Sequence, residues 1–440
     1  MSAIARYFKR KGLEVSGYDR TPSELTSKLQ EEGIGVHFED DPGFIPKDVA
    51  ETLVIYTPAI PADNAELTYV RENGYRVVKR SLSLGEITRG QECLAVAGTH
   101  GKTTTSTLAA HILTESGDGC SAFLGGISKN YGTNLLVSPV PTVVAEADEF
   151  DRSFHWLRPW ISVITSTDPD HLDIYGTKEA YLESFRHYTT LIQPGGALII
   201  HRGLEMRQEV ADGVTVYEYD LLQGDFHAEN IIIENGEITF DFISPIENIR
   251  NISLGQPVPI NIENAIAAMA MAQLCGCTAE ELKEGMSTYQ GVERRFDFKL
   301  KTDKIVFLSD YAHHPKEIYQ SARSIKELYK ERKITAIFQP HLYTRTRDFY
   351  TDFASSLSQL DEVVLTDIYP AREQPIPGVT SKLIYDNLSE GVQKHLIHTD
   401  EVLSFVKEHD FEVLIVLGAG DLDNQVPEIE KILKEKYCNS

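Results

Sequence analysis

At 440 residues the chain is long enough for about three domains of ordinary size, which excludes a single small module. Its 42 Lys and Arg against 66 Asp and Glu leave a formal charge of −24 with no compensating basic block. That excludes general affinity for nucleic acid or anionic lipid, so an anionic ligand needs a local cationic pocket. Five cysteines without zinc-type spacing suit a reducing compartment, and no apolar run approaches the ~20 residues that span a bilayer.

In chain order, residues 1–11 place Ile4, Ala5 and Phe8 on one side of a predicted amphipathic helix and lack the apolar core of a secretory signal. Gly12 ends that helix, residues 13–18 form a predicted strand, and Asp19 lies at its end as a candidate substrate ligand. This is the second half of a β-α-β unit whose first strand is absent, so Met1 is expected to be an internal methionine with the native start upstream. Short β-branched runs then alternate with helical patterns, the mark of parallel α/β architecture. A strand at 53–56 leads into a turn-rich stretch at 57–61. A second region opens on a strand at 94–97 and continues with strands at 142–145, 161–165 and 197–201, a β-rich stretch near 214–243 and a helix over 261–274. Cys275-Gly276-Cys277 closes that helix before the next begins. After Gly291 come strands at 305–308, 334–338, 362–365 and 413–417, with helices from Pro315 and about Thr346. The expected organisation is three α/β domains, 1–91, 92–291 and 292–440.

The strongest chemical signal is Gly98-Thr99-His100-Gly101-Lys102-Thr103-Thr104-Thr105, which follows a strand and opens a helix. Glycines let backbone N–H groups turn onto phosphate oxygens, the helix N-terminus adds its dipole, Lys102 neutralises phosphate charge and the Thr103 hydroxyl can reach Mg²⁺. A plain strand-to-helix turn would explain the glycines but not the Lys and three Thr that follow. Glu146-Ala147-Asp148-Glu149-Phe150-Asp151 follows the next strand, at the edge where α/β sheets bind ligands. Alone it could be a solvated acidic loop. A second acid-rich strand end, Asp168-Pro169-Asp170-His171-Leu172-Asp173, turns the balance toward a metal-nucleotide site with His171 as a candidate ligand. A third cluster comprises Arg294, Arg295, Asp310, Tyr311, His313, His341 and Arg345. These supply the cationic pocket that the net charge demands, whereas Arg347 beside Asp348 reads better as a surface ion pair.

Together with Asn261-Ile262-Glu263-Asn264, Gly291 to Asp297, Phe338-Gln339-Pro340-His341 and Leu417-Gly418-Ala419-Gly420-Asp421, these stretches resemble the Mur ligase family of ATP-dependent amide-forming enzymes, over nearly the whole chain. The resemblance implies a Rossmann-like N-terminal domain for a UDP-sugar, a central ATPase domain and a C-terminal domain that closes over the site. In relatives a strand and a glycine-rich loop precede the segment matching Met1 to Ala5, and both are missing here. The family's pattern assigns Gly98 to Thr104, Asn264, Arg294, Arg295 and Asp310 to the nucleotide, with Asn264 on adenine. It assigns Thr103, Glu146 and His171 to Mg²⁺, and Tyr311, His313, His341 and Arg345 to the amino acid. Ser184-Phe185-Arg186 occupies the stretch where later-acting relatives carry a carbamylated lysine, so that modification is not expected. Ile260 and Leu342 stand where many members have His and Arg, leaving Arg345 as the partner of the amino-acid carboxylate.

The implied reaction joins L-alanine to the lactyl carboxylate of UDP-N-acetylmuramate through an acyl phosphate, in the cytoplasm, with ATP and Mg²⁺. Lys102, His171, His341 and Arg345 carry the chemistry in this reading. The expected partners are those small molecules, with no nucleic acid and no membrane insertion, for a monomer or weak homodimer. Two rivals stand beside it: a recycling ligase attaching a tripeptide to the same sugar, and an ATP-binding regulatory protein without ligation.

Overall fold

The protein is described by a computed structural model covering residues 1–438 apart from 59, 62, 235, 236 and 372. The predicted turn at 57–61 thus includes Ala59 outside the described residues, as are the side chains of Leu172 and Asp173. The chain forms two compact units. One comprises Met1–Glu229, Asp241–Ile252 and Glu263–Tyr289; the other comprises Asn230–Phe240, Ser253–Ile262 and Gln290–Ser440.

The first unit begins with the helix Ser2–Arg10, which buries Ile4 and the Arg6 side chain. Arg6 grips both oxygens of Glu32 and donates to Asn134, so its buried guanidinium is fully compensated. The strand after it starts at Ser16 and not at 13, because the Leu13 amide donates back to the Phe8 carbonyl as part of the helix end. Two parallel pairs follow: β1 (Ser16–Tyr18) with β2 (Gly35–His37), and β3 (Leu53–Tyr56) with β4 (Arg76–Lys79).

The main sheet comprises β5 (Glu92–Ala97), β6 (Ser121–Ser128), β7 (Thr133–Leu136), β8 (Thr142–Glu146), β9 (Ile161–Ile164), β10 (Ala197–His201) and β11 (Thr215–Tyr219), ordered β11-β10-β9-β5-β8-β6-β7. All neighbours are parallel except the β6–β7 hairpin, which reverses through the Ser128–Gly132 turn. β5 is buried from Cys93 to Ala97, as the central strand of a two-sided sheet must be. Its neighbours β8 and β9 lie on opposite sides, so the strand order reverses at β5 and opens a crevice at its carboxyl end. Strands β12 (His227–Glu234), β13 (Glu237–Ile243) and β14 (Ile249–Ser253) come next, and the helix Asn261–Leu274 keeps its predicted bounds.

The second unit holds β15 (Asp297–Lys301), β16 (Val306–Asp310), β17 (Ile334–Phe338), β18 (Glu362–Leu365), β19 (Gln393–Leu396) and β20 (Val413–Leu417), in the order β15-β16-β20-β17-β18-β19. Only the edge strand β15 runs antiparallel. Alternate residues of β16, β17 and β20 feed apolar cores on the two faces: Leu308, Phe338 and Ile415 on one, Phe307, Ile337 and Leu414 on the other. The helix Tyr343–Leu357 starts three residues before the position expected from its apolar pattern.

Candidate active site

In the first unit the phosphate loop sits at the strand-order reversal. Gly98 (φ +129°) and Gly101 (φ +81°) adopt backbone conformations that disfavour a side chain. A Cβ on Gly98 would lie 2.8 Å from the Ser166 nitrogen, and one on Gly101 2.6 Å from Asn264 Oδ1. The Thr99 amide donates to the Ser166 carbonyl (3.1 Å), the His100 amide to Ser166 Oγ (2.9 Å), and the Thr99 hydroxyl bridges the Asp168 carbonyl and the Tyr181 hydroxyl. The segment after β9 therefore braces the loop. Asn264, expected on adenine, accepts from Thr105 Oγ1 at 3.2 Å and so lies against the first turn of the helix Lys102–Glu115.

The acids after β8 have separate tasks. Glu146 accepts from Thr103 Oγ1 at 2.9 Å, which places two oxygen ligands side by side at the helix start. Asp148 pairs with Arg80 and Asp151 with Lys79, so these two are taken up by cations. Glu149, only 2% exposed, lies 2.8 Å from Lys102 Nζ, which also donates to the carbonyls of Gly98 and Thr99. Burial opposes the charge on Lys102, but Glu149, Glu146 and Asp148 outweigh it and raise its pKa. The lysine is a held cation in a carboxylate cradle. The role of Glu149 is a tertiary fact: its letter stands in the motif, but only the fold shows that it faces the lysine rather than a metal.

Among the described residues no three of His, Cys, Asp and Glu converge as a ready-made metal centre. The hydroxyl and carboxylate of Thr103 and Glu146 nevertheless suit Mg²⁺, which takes one or two protein oxygens and completes its shell with phosphate and water. Gly125 permits this, since a Cβ there would come within 2.7 Å of the Glu146 carboxyl carbon. His171, with φ +53°, sits edge-on to Phe150 and 3.7 Å from Asp170, while its amide binds Asp170 Oδ1. Ser184 bonds His155, and Phe185 is wholly buried. Asp19 accepts from the Thr21 amide in the turn after β1.

In the second unit the cationic cluster is gathered at the carboxyl ends of β16 and β17. The guanidinium groups of Arg294 and Arg295 stack 4.8 and 5.0 Å from the Tyr311 ring, and Arg294 also meets Asp423 at 3.0 Å. Asp310 spends one oxygen on the Phe296 amide and the other on the Ser321 hydroxyl, so it pins the 294–296 turn. Burial raises its pKa against those bonds and against Arg295. His313 packs edge-on to Tyr311 and to His341, at 5.1 and 5.8 Å. Burial lowers its pKa, Glu317 opposes this, and Arg345 adds to the lowering. Arg345 Nη1 is buried without a hydrogen-bond acceptor. A guanidinium nitrogen left without an acceptor near His313 is the kind of donor that pairs with carboxylates. Gln339 follows β17 at the base of this cluster. It joins Asp421 Oδ1 to the Leu422 amide and lies against Gly418, where a Cβ would come 2.8 Å from its carbonyl. Arg347 pairs with Asp348 at 2.7 Å.

Three sequence models match the chain: "Mur ligase family, catalytic domain" over residues 1–92, "Mur ligase middle domain" over 96–272, and "Mur ligase, glutamate ligase domain" over 294–421. UDP-N-acetylmuramate–L-alanine ligase of Phocaeicola vulgatus is 64% identical over 440 residues, covering 99% of this chain and 96% of that one. The enzyme of the same name from Parabacteroides distasonis is 54% identical over 438 residues, with 98% and 95% covered. The crystal structure of UDP-N-acetylmuramate-alanine ligase from Thermotoga maritima superposes with a TM-score of 0.84 at 26% identity, covering 100% and 97%. A murein peptide ligase from Psychrobacter arcticus shares the fold at 20% identity and a TM-score of 0.68. A glycine loop closed on its lysine, a Thr–Glu pair at the helix start, and a separate cationic cluster thus occur in a chain that all three models match: it belongs to the Mur ligase family.

Proposed function

We propose that this enzyme is an ATP-dependent ligase that joins L-alanine to the lactyl carboxylate of UDP-N-acetylmuramate, releasing ADP and phosphate, in peptidoglycan precursor synthesis. The observation that carries the reading is the Lys102, Thr103 and Glu146 constellation at the crevice, in a chain 64% identical to an alanine-adding relative. Residues 1–91 hold the UDP-sugar, with Asp19 among its ligands, 92–291 the ATP and 292–440 the amino acid in this proposal. A cytoplasmic place follows from the substrates, and no described helix is long and apolar enough to cross a membrane.

A carboxylate is a poor acyl electrophile, so the lactyl group first takes the γ-phosphoryl of ATP to form an acyl phosphate and ADP. The Gly98–Lys102 backbone and the Lys102 ammonium hold the β- and γ-phosphates, the lysine exchanging Glu149 for phosphate oxygen. Thr103 and Glu146, with His171 for a second ion, would hold Mg²⁺, which supplies neutralisation of the charge that develops on the phosphates. Arg345 holds the carboxylate of L-alanine, and Tyr311, His313 and His341 surround its small side chain. The free amine then adds to the acyl carbonyl, and collapse of the tetrahedral intermediate expels phosphate and leaves the amide.

The test is an assay offering L-alanine and the recycling tripeptide in parallel with UDP-N-acetylmuramate and ATP. Product with alanine alone is expected; product with the tripeptide alone overturns the substrate assignment, and neither product with ATP still bound overturns the ligase reading.

A further inference from the structure

The helix that carries Arg345 does not start by its own local rules. Its N-cap position is Leu342, a residue that offers no side-chain acceptor, and its backbone is at φ +70°, ψ +136°. That combination is close to a region essentially reserved for glycine, so it persists only where surroundings impose it. The imposing groups come from a strap after β18. The Leu342 amide donates to the Tyr369 carbonyl (2.9 Å), and the Tyr369 amide returns a bond to the Pro340 carbonyl (2.8 Å). The Tyr369 ring stacks on His341 at 5.7 Å. Glu373, 29 residues beyond Thr344, receives the Thr344 amide at 3.0 Å on one oxygen and the Thr344 hydroxyl on the other.

We propose that Glu373 is a positioning residue for the amino-acid site: by capping the helix Tyr343–Leu357 from outside, it fixes the first turn from which Arg345 reaches the carboxylate of the incoming amino acid. This rests on the assignment of Arg345 to that carboxylate. An anion is the right group for the task, because it satisfies orphan N–H donors and complements the positive end of the helix. Arg345, on the same first turn, keeps a buried Nη1 without an acceptor. The strap thus holds both a strained joint, which aims His341, and the helix turn, which aims Arg345. A glycine at 342 would relieve the strain but free the joint.

The experiment compares Glu373→Ala, Glu373→Gln and Arg345→Ala in the full chain, reading KM for L-alanine, KM for ATP, kcat and Tm. Glu373→Ala is expected to raise the alanine KM by about tenfold or more, because displacements near 1 Å are costly at a reacting site, while KM for ATP holds. Glu373→Gln, which keeps an acceptor, recovers part of that loss. If Glu373→Ala lowers Tm but leaves the alanine KM unchanged, Glu373 is a helix cap only and the proposal is overturned. Equal rises in the KM for alanine and for ATP overturn it too, as general loosening. Arg345→Ala separates the two levels. An unchanged alanine KM in that variant overturns the carboxylate assignment itself, whereas a raised one beside a normal Glu373→Ala overturns only the positioning role. Should Glu373→Ala not fold, Thr344→Val removes the hydroxyl bond alone and is expected to raise the alanine KM to a smaller degree; no change then counts against the proposal.

Discussion

Lys102 Nζ lies 2.8 Å from a carboxylate oxygen of Glu149, a side chain only 2% exposed. The phosphate loop therefore holds its lysine against an internal anion, and in the proposed reaction nucleotide phosphate takes that anion's place. Breaking a buried pair by removing one member leaves the other charge stranded, at a cost of about 3–5 kcal/mol. Lys102→Met should thus lower Tm and abolish acyl-phosphate formation together. Lys102→Met with Glu149→Gln should recover most of the lost Tm, by thermal denaturation, while turnover stays absent. Near-normal turnover in Lys102→Met would remove the lysine from the reaction.

Glu146 has no spare room, because Gly125 faces its carboxylate where any Cβ would collide. Glu146→Gln removes the charge and Gly125→Ala displaces the group. Both should raise the Mg²⁺ concentration for half-maximal ATP-dependent phosphate release, by roughly ten- to hundredfold for Gly125→Ala, as disturbances beside a metal ligand commonly do. A metal titration of the two variants with wild type checks this, and an unchanged midpoint in both would place the ion elsewhere.

Arg345→Ala should raise the KM for alanine with little change in the KM for ATP, since the guanidinium's buried Nη1 has no other acceptor. Arg345→Lys should recover only part of the loss, because a point charge cannot reproduce the planar fork. Initial rates at varied alanine decide it.

His111, buried in the helix Lys102–Glu115, links Tyr131 (2.8 Å) and Thr288 (2.9 Å). Thr288 donates its own proton to the Glu284 carbonyl, so His111 Nε2–H donates to Thr288, while Nδ1 faces the Tyr131 hydroxyl. Burial lowers the pKa below the ordinary 6.5, with Glu115 opposing. The unfolded chain then takes up the proton first. The stabilisation is fully present above pH 6.5 and is lost as pH falls through the lower, folded value. The drop in Tm between pH 7.5 and about 5 should therefore be shallower in His111→Gln, even if its Tm is lower throughout. Parallel slopes would show that other groups set the acid limb.

At Gly285 the helix Ala279–Thr288 lies close against the helix Lys102–Glu115, and a Cβ there would lie 2.9 Å from the Ile112 Cα. Gly285→Ala should destabilise by about 1–3 kcal/mol, the usual cost of overpacking, despite alanine's better helix propensity. Urea unfolding of the variant measures it; a gain in stability would mean that the two helices separate freely.

Much of the architecture could be read from local chemistry. Parallel strands announce themselves as apolar, β-branched runs, whether buried like β10, β17, β18 and β20 or partly exposed like β3, and the bounds of all five agree with expectation to the residue. The hairpin β6–β7 and the edge strands β15 and β19 lacked that mark. Gly125 and Gly126 interrupt β6, and β15 and β19 alternate with charged residues such as Lys299, Lys301 and Lys394. The early start of the helix Tyr343–Leu357 escaped for a different reason: its cap is Glu373, supplied from 29 residues away.

The same division holds at the site. The order of residues by itself determined the phosphate loop, the acids after β8, and the Arg and His cluster, because glycine spacing and residue type constrain what a strand-to-helix turn can bind. Only the tertiary structure decided how four acids in six residues divide their work: Glu146 with Thr103, Asp148 with Arg80, Glu149 with Lys102, Asp151 with Lys79. It likewise decided that Asp310 is spent on a turn while Arg345 keeps a free Nη1. The physical reason is that a carboxylate's role is set by what lies within about 3 Å of its oxygens, and those neighbours come from strands and loops remote in the chain.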